Sequence, residues 1–439
     1  MKNQKNEWSC KNYAVLGLAI LAVTGIGWWE GRASHASTND GGKNLPHALN
    51  EKETSMNGIA SGIAAATGDS AIPRAGLPTA ERAGSIGPEV LKWREKHWPG
   101  MHCPLDGPVV FYKTHKTGST TIANMLYRYS ILHQRKVFSP PGEFNHKPGC
   151  QHYELCLPKH GEPPLKPEEA YDMALHHYHS VAPQGIPESA GTWPEKWERY
   201  RLAAAGAVAP QMVSILREPA ATFYSKFDYF RLRTQVGLLK TTVTKPEHSE
   251  GMSRDFGVYT DAQLAEFLQS STYNGAFIFI LEELELSLAL WKASCGLSWH
   301  EVVVRQSNHR NPSARSEEKV RRQMPLVKEN HVRDYTLYNT TLKKLHDARE
   351  SYPDQEALAA AIKRIQTTNF AADTDCKKKP NKAYCKLENL KPLKFAIHLS
   401  PETHRLDGLD STPWAELNNA TIGLAMAQIK SLADSYTVE

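Results

Sequence analysis

The sequence predicts an α/β fold, a mainly parallel sheet flanked by helices. Two observations carry this. Apolar strand-like runs begin at 109, 212 and 277, and helix-like patterns follow at 119, 219 and 283. That alternation implies parallel strands joined by helical crossovers. The first two runs also stop at a basic residue, Lys113 and Arg217. Ligands of parallel sheets bind at the carboxyl ends of strands, so both basic residues stand where one ligand could meet them.

The first unit starts with Val109-Val110-Phe111-Tyr112, short and apolar enough to be a buried strand. Ile122, Met125, Leu126 and Tyr129 then repeat at the i, i+3, i+4, i+7 spacing of an amphipathic helix. Between them runs Lys113-Thr114-His115-Lys116-Thr117-Gly118-Ser119-Thr120-Thr121. Amides at a helix start have no partner within the helix, and the helix dipole favours negative charge there. With two lysines and several hydroxyls added, the turn has the make-up of an anion cradle. It is not a Walker A loop, because a lone Gly118 follows Lys116. Taken alone, the turn also fits a plain basic connection capped by threonines.

The second unit starts with the run Met212–Leu216. Arg217 ends it, and Pro219 suits the first turn of a new helix. Ser225 follows about two turns along. A guanidinium fork and a helix hydroxyl can grip one phosphate together. A surface ion pair and an ordinary helix serine account for each residue singly.

Jointly the two stretches resemble the Golgi carbohydrate sulfotransferases, and among them the galactose-3-O-sulfotransferases. Phe111 to Arg128 looks like that family's 5′-phosphosulfate loop, and Ile215 to Phe230 like its 3′-phosphate element. Weaker similarity runs through Phe277–Leu290, with Glu282-Glu283-Leu284 and Ser287-Leu288. It continues into an expected strand at Glu301–Arg305 leading to Ser307-Asn308-His309-Arg310, and fades near Leu337-Tyr338-Asn339.

The resemblance implies a P-loop-like sulfotransferase fold and 3′-phosphoadenylyl sulfate as donor, with no metal required. Its 5′-phosphosulfate would lie against Lys113 to Thr121, and its 3′-phosphate against Arg217 and Ser225. Lys116 aligns with the family's catalytic lysine, placed to meet charge on the bridging oxygen as the nucleotide leaves. Lys113, at the strand end, reads as structural. Leu175-His176-His177-Tyr178-His179 lies where the family has an Asn-His pair. That makes His177 the candidate base, with His176, His115, Glu282 and Glu283 as alternatives. The implied acceptor is a galactose-terminated glycan or glycolipid, modified at the 3-hydroxyl. Residues Cys150–Pro194 and Thr234–Gly257 are candidates to face it. Other glycan acceptors stay open, as does a membrane-tethered carbohydrate-binding protein without activity. A kinase-like enzyme would want a magnesium-binding carboxylate at a strand end, and no Walker B run is present.

The 439 residues can hold one large domain with extras. A net charge of +5, with only short basic clusters such as Lys377-Lys378-Lys379, argues against a nucleic-acid partner. Tyr13 to Trp29 carries no charge and follows Lys2, Lys5 and Lys11, which predicts a transmembrane anchor at 13–29 behind a cytosolic tail, 1–12. The rival is a cleaved signal peptide, since Ala33-Ser34-His35-Ala36 follows. Residues 30–100 read as a lumenal stem. Up to about Gly87 they are too poor in apolar residues to fold, and the tryptophans from Trp93 to Trp98 mark the approach to the folded part. Residues 101–439 read as the catalytic domain, giving a single-pass type II Golgi protein. Cys10 sits at the cytosolic edge, where palmitoylation is one option. Six further cysteines in an oxidising lumen favour disulfides over zinc. Local pairs Cys150–Cys156 and Cys376–Cys385 would leave Cys103 with Cys295. Asn339-Thr340-Thr341 and Asn419-Ala420-Thr421 have the form of glycosylation acceptors.

Overall fold

The computed structural model describes residues 86–133, 135–138, 158, 161–166, 170–177, 192–204, 208–229, 250–305, 324–388 and 419–436, all within one compact unit, Ile72–Glu439. Side chains at 176–177, 227–229, 386–388 and 419–422 lie outside that description. The expected anchor at 13–29, the stem up to residue 85, Cys10, the Cys150–Cys156 pair and Ser307–Arg310 also lie outside it. Among the described residues no helix is long and apolar enough to cross a membrane.

Helix α1 (Pro88–His97) leads into strand β1 (Val109–Lys113) and helix α2 (Ser119–Leu132). Strands β2 (Val137–Phe138) and β3 (Met173–His177) precede α3 (Trp193–Ala203), β4 (Gln211–Leu216) and α4 (Pro219–Tyr229). Short helices α5 (Gly251–Asp255), α6 (Asp261–Gln269) and α7 (Ser271–Gly275) come before β5 (Phe277–Ile280). Then follow α8 (Leu284–Cys295), α9 (Trp299–Val302), α10 (Val332–Glu350), α11 (Gln355–Lys378), α12 (Ala383–Glu388) and α13 (Asn419–Asp434).

The five strands form one parallel sheet in the order β2-β3-β1-β4-β5, with helices packed against it. All of β1 and β4 is buried, as strands covered on both faces must be. On one face Tyr112 stacks on Phe256 at 5.6 Å and meets Tyr200 edge-on. Around β5, Phe277 lies 4.8 Å from Trp291 and 5.0 Å from Trp98. These rings bring α1, α3, α5 and α8 onto the sheet.

Residues 88–98, at the end of the expected stem and read as the approach to the folded part, form α1 and the turn after it. Trp93 is buried and its indole donates to the Ala348 carbonyl at 2.9 Å. Cys103 and Cys295, 192 residues apart, form a disulfide that ties this entry segment to α8. Cys376 and Cys385 form a second.

The strand expected at Glu301–Arg305 is not one. Ser298 and Glu301 make a capping box that starts the α9 turn instead. Beyond it the Val304 amide bonds the Asn369 side chain of α11 at 3.0 Å rather than a neighbouring strand. The β-branched run Val302-Val303-Val304 is buried as expected, but without ladder partners among the described residues.

Candidate functional site

Four segments meet along the carboxyl edge of the sheet. Lys113 ends β1, His177 ends β3 in register with Lys113, Arg217 follows β4, and a turn of 3-10 helix, Leu281–Glu283, follows β5. From β1 the chain leaves toward β2 at one edge, and from β4 toward β5 at the other. The crevice between β1 and β4 is therefore the switch point where such sheets bind ligands.

The loop after β1 is shaped from within. The Thr114 hydroxyl donates to the Ile215 carbonyl of β4 and lies 2.7 Å from the Thr117 hydroxyl. Ser119 Oγ donates to the Thr114 carbonyl at 2.8 Å. Thr114, Thr117, Ser119 and Thr121 are buried, so the first three hydroxyls hold the loop together. Lys113 is buried as well. His115, Lys116, Gly118 and Thr120 are the loop residues with partial exposure.

Two residues there have left-handed backbone. Gly118 has φ 82, where any other residue is strained, and a Cβ added to it would sit 2.8 Å from Leu281 Cδ1, which would have to shift. Lys116 has φ 64 without being glycine. Such a backbone costs about 1–3 kcal/mol and persists only where the surroundings impose it. Gly118 is the N-cap of α2 and offers no side-chain cap, leaving the first amides of α2 to the loop mouth.

Arg217 crosses the crevice. Its Nη1 donates to the Lys116 carbonyl at 3.3 Å. Burial lowers its pKa, and the charges of Glu282 and Glu218 work in the opposite sense. A guanidinium stays charged nonetheless. The start of α4 differs from that of α2, because Glu218 accepts the Ala221 amide at 2.6 Å and caps it. The open helix N-terminus is therefore the one behind Gly118. Glu218 also accepts the Tyr335 hydroxyl. Glu282 accepts the Glu218 amide and the Tyr338 hydroxyl, both at 3.1 Å, and burial raises its pKa. Both glutamates thus buttress the turn that carries Arg217. Ser225 is half-buried on α4, about 9 Å of helix beyond Pro219.

Asp255 was not foreseen from sequence. Its Oδ2 accepts the His115 amide at 2.8 Å and its Oδ1 faces His115 Nδ1 at 2.9 Å. Burial opposes the carboxylate charge, but His115 and Lys226 outweigh it and hold the pKa down at about 2. Asp255 ends α5, and α5 is locked to α10 by reciprocal capping. Asp334 accepts the amides of Met252 at 3.1 Å and Ser253 at 2.8 Å. Glu250, itself at φ 57, accepts those of Arg333 at 3.0 Å and Asp334 at 2.7 Å. No local signal marks these partners, since 140 residues separate His115 from Asp255.

The structure thus joins Lys116 to Arg217 and puts the backbone of His177 beside Lys113. The side chains of His176 and His177 lie outside the described residues. Glu283 lies 3.7 Å from His346, on the surface.

Among known proteins, the family model described as galactose-3-O-sulfotransferase matches residues 64–153, which include β1, the loop and α2. Galactose-3-O-sulfotransferase 3 of Bos taurus is 26% identical over 260 residues, 51% of this chain and 55% of that protein. Over these segments the chain is similar to the galactose-3-O-sulfotransferases. The human galactose-3-O-sulfotransferase 3 is 30% identical over 149 residues, 32% of this chain and 29% of that protein. Galactosylceramide sulfotransferase of Mus musculus is 25% identical over 130 residues, 29% of this chain and 25% of that protein. The chain thus spans about half the length of the first of these relatives and less of the others. No solved structure gives a significant match. The galactose-3-O-sulfotransferase family match ends before β4, so Arg217 joins the site through the pairing of β4 with β1.

Proposed function

We propose that the chain transfers a sulfuryl group from 3′-phosphoadenylyl sulfate to a sugar hydroxyl, the 3-hydroxyl of a terminal galactose on a glycolipid or glycoprotein. The cellular setting that goes with this is a type II Golgi membrane protein with its folded part in the lumen, anchored through 13–29. The observation that carries the proposal is the bond from Arg217 to the Lys116 carbonyl. It unites two cationic elements over one uncapped helix start, as a donor with two separated anionic groups requires.

In this scheme the α2 amides, Lys116 and the exposed side of the loop hold the 5′-phosphosulfate. Arg217 and Ser225 hold the 3′-phosphate. The acceptor oxygen bonds to sulfur while the bond from sulfur to the bridging phosphate oxygen breaks. That oxygen keeps the electron pair, and adenosine 3′,5′-bisphosphate leaves. Lys116 meets charge that grows only as this bond breaks, which is where binding energy speeds a reaction. His177, at the end of the neighbouring strand, takes the hydroxyl proton. The lysines of the loop and the backbone amides at the open helix start supply what magnesium supplies in phosphoryl transfer.

Thermal shift with adenosine 3′,5′-bisphosphate and with ATP tests the donor site, and transfer of labelled sulfate to galactose-terminated acceptors tests the reaction. Stabilisation by the bisphosphate above that by ATP, with label on galactose, is the expected result. No response to the bisphosphate, or a stronger one to ATP, would overturn it.

A further inference from the structure

The His115–Asp255 pair is built more firmly than a surface contact. Asp255 is 1% exposed, while the His115 side chain keeps 20% exposure. Nδ1 lies against the buried carboxylate, and Nε2 is on the opposite edge of the ring. One carboxylate serves both the main chain and the ring of His115. The helix bearing that carboxylate is fixed at its other end by Glu250 and Asp334, and Lys226 of α4 adds positive charge beside it.

Resting on the sulfotransferase reading, we propose that Asp255 is a positioning residue for the transfer step. It anchors the loop through the His115 amide and fixes His115 with the proton on Nδ1, so that Nε2 turns to the transfer site as a hydrogen-bond acceptor that can orient the acceptor hydroxyl. An ionised carboxylate only accepts hydrogen bonds, so the Nδ1 facing it must donate. The same division of labour, a buried carboxylate setting the tautomer of a working imidazole, operates in hydrolase triads. The loop benefits twice, because the anchored His115 amide immediately precedes the left-handed Lys116.

Asp255→Asn separates the two roles. Its single side-chain oxygen can keep the His115 amide, while its NH2 turns toward Nδ1 and forces the proton to Nε2. Affinity for adenosine 3′,5′-bisphosphate is expected to stay within about threefold, while turnover falls by roughly 10²-fold or more. In a His115→Ala background the same substitution is expected to cost nothing further, because it acts only through the ring. Imidazole 15N resonances of the histidine-labelled chain, assigned with His115→Ala, are expected to show Nδ1–H in the wild type. A wild-type His115 protonated at Nε2 alone overturns the proposal even if the Asn variant fails to fold. So does turnover within about threefold of wild type in Asp255→Asn, or a loss that adds in full to that of His115→Ala. A wild-type chain that neither binds the bisphosphate nor transfers sulfate sinks the sulfotransferase reading instead, and the imidazole spectrum still decides the pair.

Discussion

The Arg217 guanidinium donates to the main-chain carbonyl of Lys116 at 3.3 Å, across 101 residues of sequence. One cation thereby faces a candidate phosphate site and also braces the backbone of the residue assigned to the leaving group. The carbonyl it holds belongs to the one loop residue with left-handed backbone that is not glycine. In the proposed scheme, donor binding and loop shape are coupled through this bond.

Arg217→Ala is expected to weaken donor binding more than it slows turnover at saturating donor. The 3′-phosphate is remote from the sulfur, so its contacts are shared by ground and transition states. Losing a charge-assisted bond costs about 1.5–3 kcal/mol. Calorimetric titration with adenosine 3′,5′-bisphosphate reads this directly. An unchanged affinity removes Arg217 from the site.

Lys116 gives a test in which stability and activity part. Lys116→Ala removes the charge and keeps the left-handed strain, whereas Lys116→Gly removes both. The glycine variant should be more stable than the alanine variant by about 1 kcal/mol. Both should lose most turnover while binding the nucleotide product. Denaturant melts of the two variants check the first claim, and a well-folded variant with near-normal turnover rejects the catalytic role.

What the sequence revealed follows the range of the interactions. The unit β1–loop–α2 was legible because its strand, basic turn and helix periodicity are contiguous from Val109 to Tyr129. The same holds for Arg217 at the end of β4. Residues 301–305 misled because three valines in a row mimic a strand, although Ser298 and Glu301 already spell a helix start. The three histidines around His177 were read as a motif, without their place at the end of β3 next to β1. Asp255 was invisible, since its partner and the caps on its helix come from 140 and about 80 residues away. Glu282 read as an alternative base and Glu218 was not singled out, and their role as braces emerges only once Tyr335 and Tyr338 of α10 are beside them.

The Cys103–Cys295 bond closes a loop of 192 residues around the whole sheet. A loop of that length restricts the unfolded chain strongly, and losing such a bond costs about 2–5 kcal/mol. Replacing both cysteines by serine should lower the melting temperature and leave bisphosphate affinity in the surviving folded fraction unchanged, since neither cysteine touches the loop. Replacing Cys376 and Cys385, 9 residues apart, should cost less. Equal losses from the two double variants would contradict the loop-closure account.

The last prediction concerns acid. The folded-state pKa of Asp255, held at about 2, lies below the ordinary value of 3.8. An acid depressed on folding contributes stability above its unfolded pKa and loses it as pH falls through the folded one. The contribution is therefore full above about pH 4 and fades toward pH 2, at up to about 1.4 kcal/mol per pH unit. Its full size is about 2 kcal/mol. Asp334, also depressed, and Glu250, raised, titrate nearby in wild type and variant alike, so the comparison with Asp255→Asn isolates Asp255. Urea melts at pH 6, 5, 4 and 3 should show the wild-type advantage over the variant constant at first and then shrinking below about pH 4. An advantage that stays level down to pH 3 would mean that Asp255 is not held ionised by His115 and Lys226.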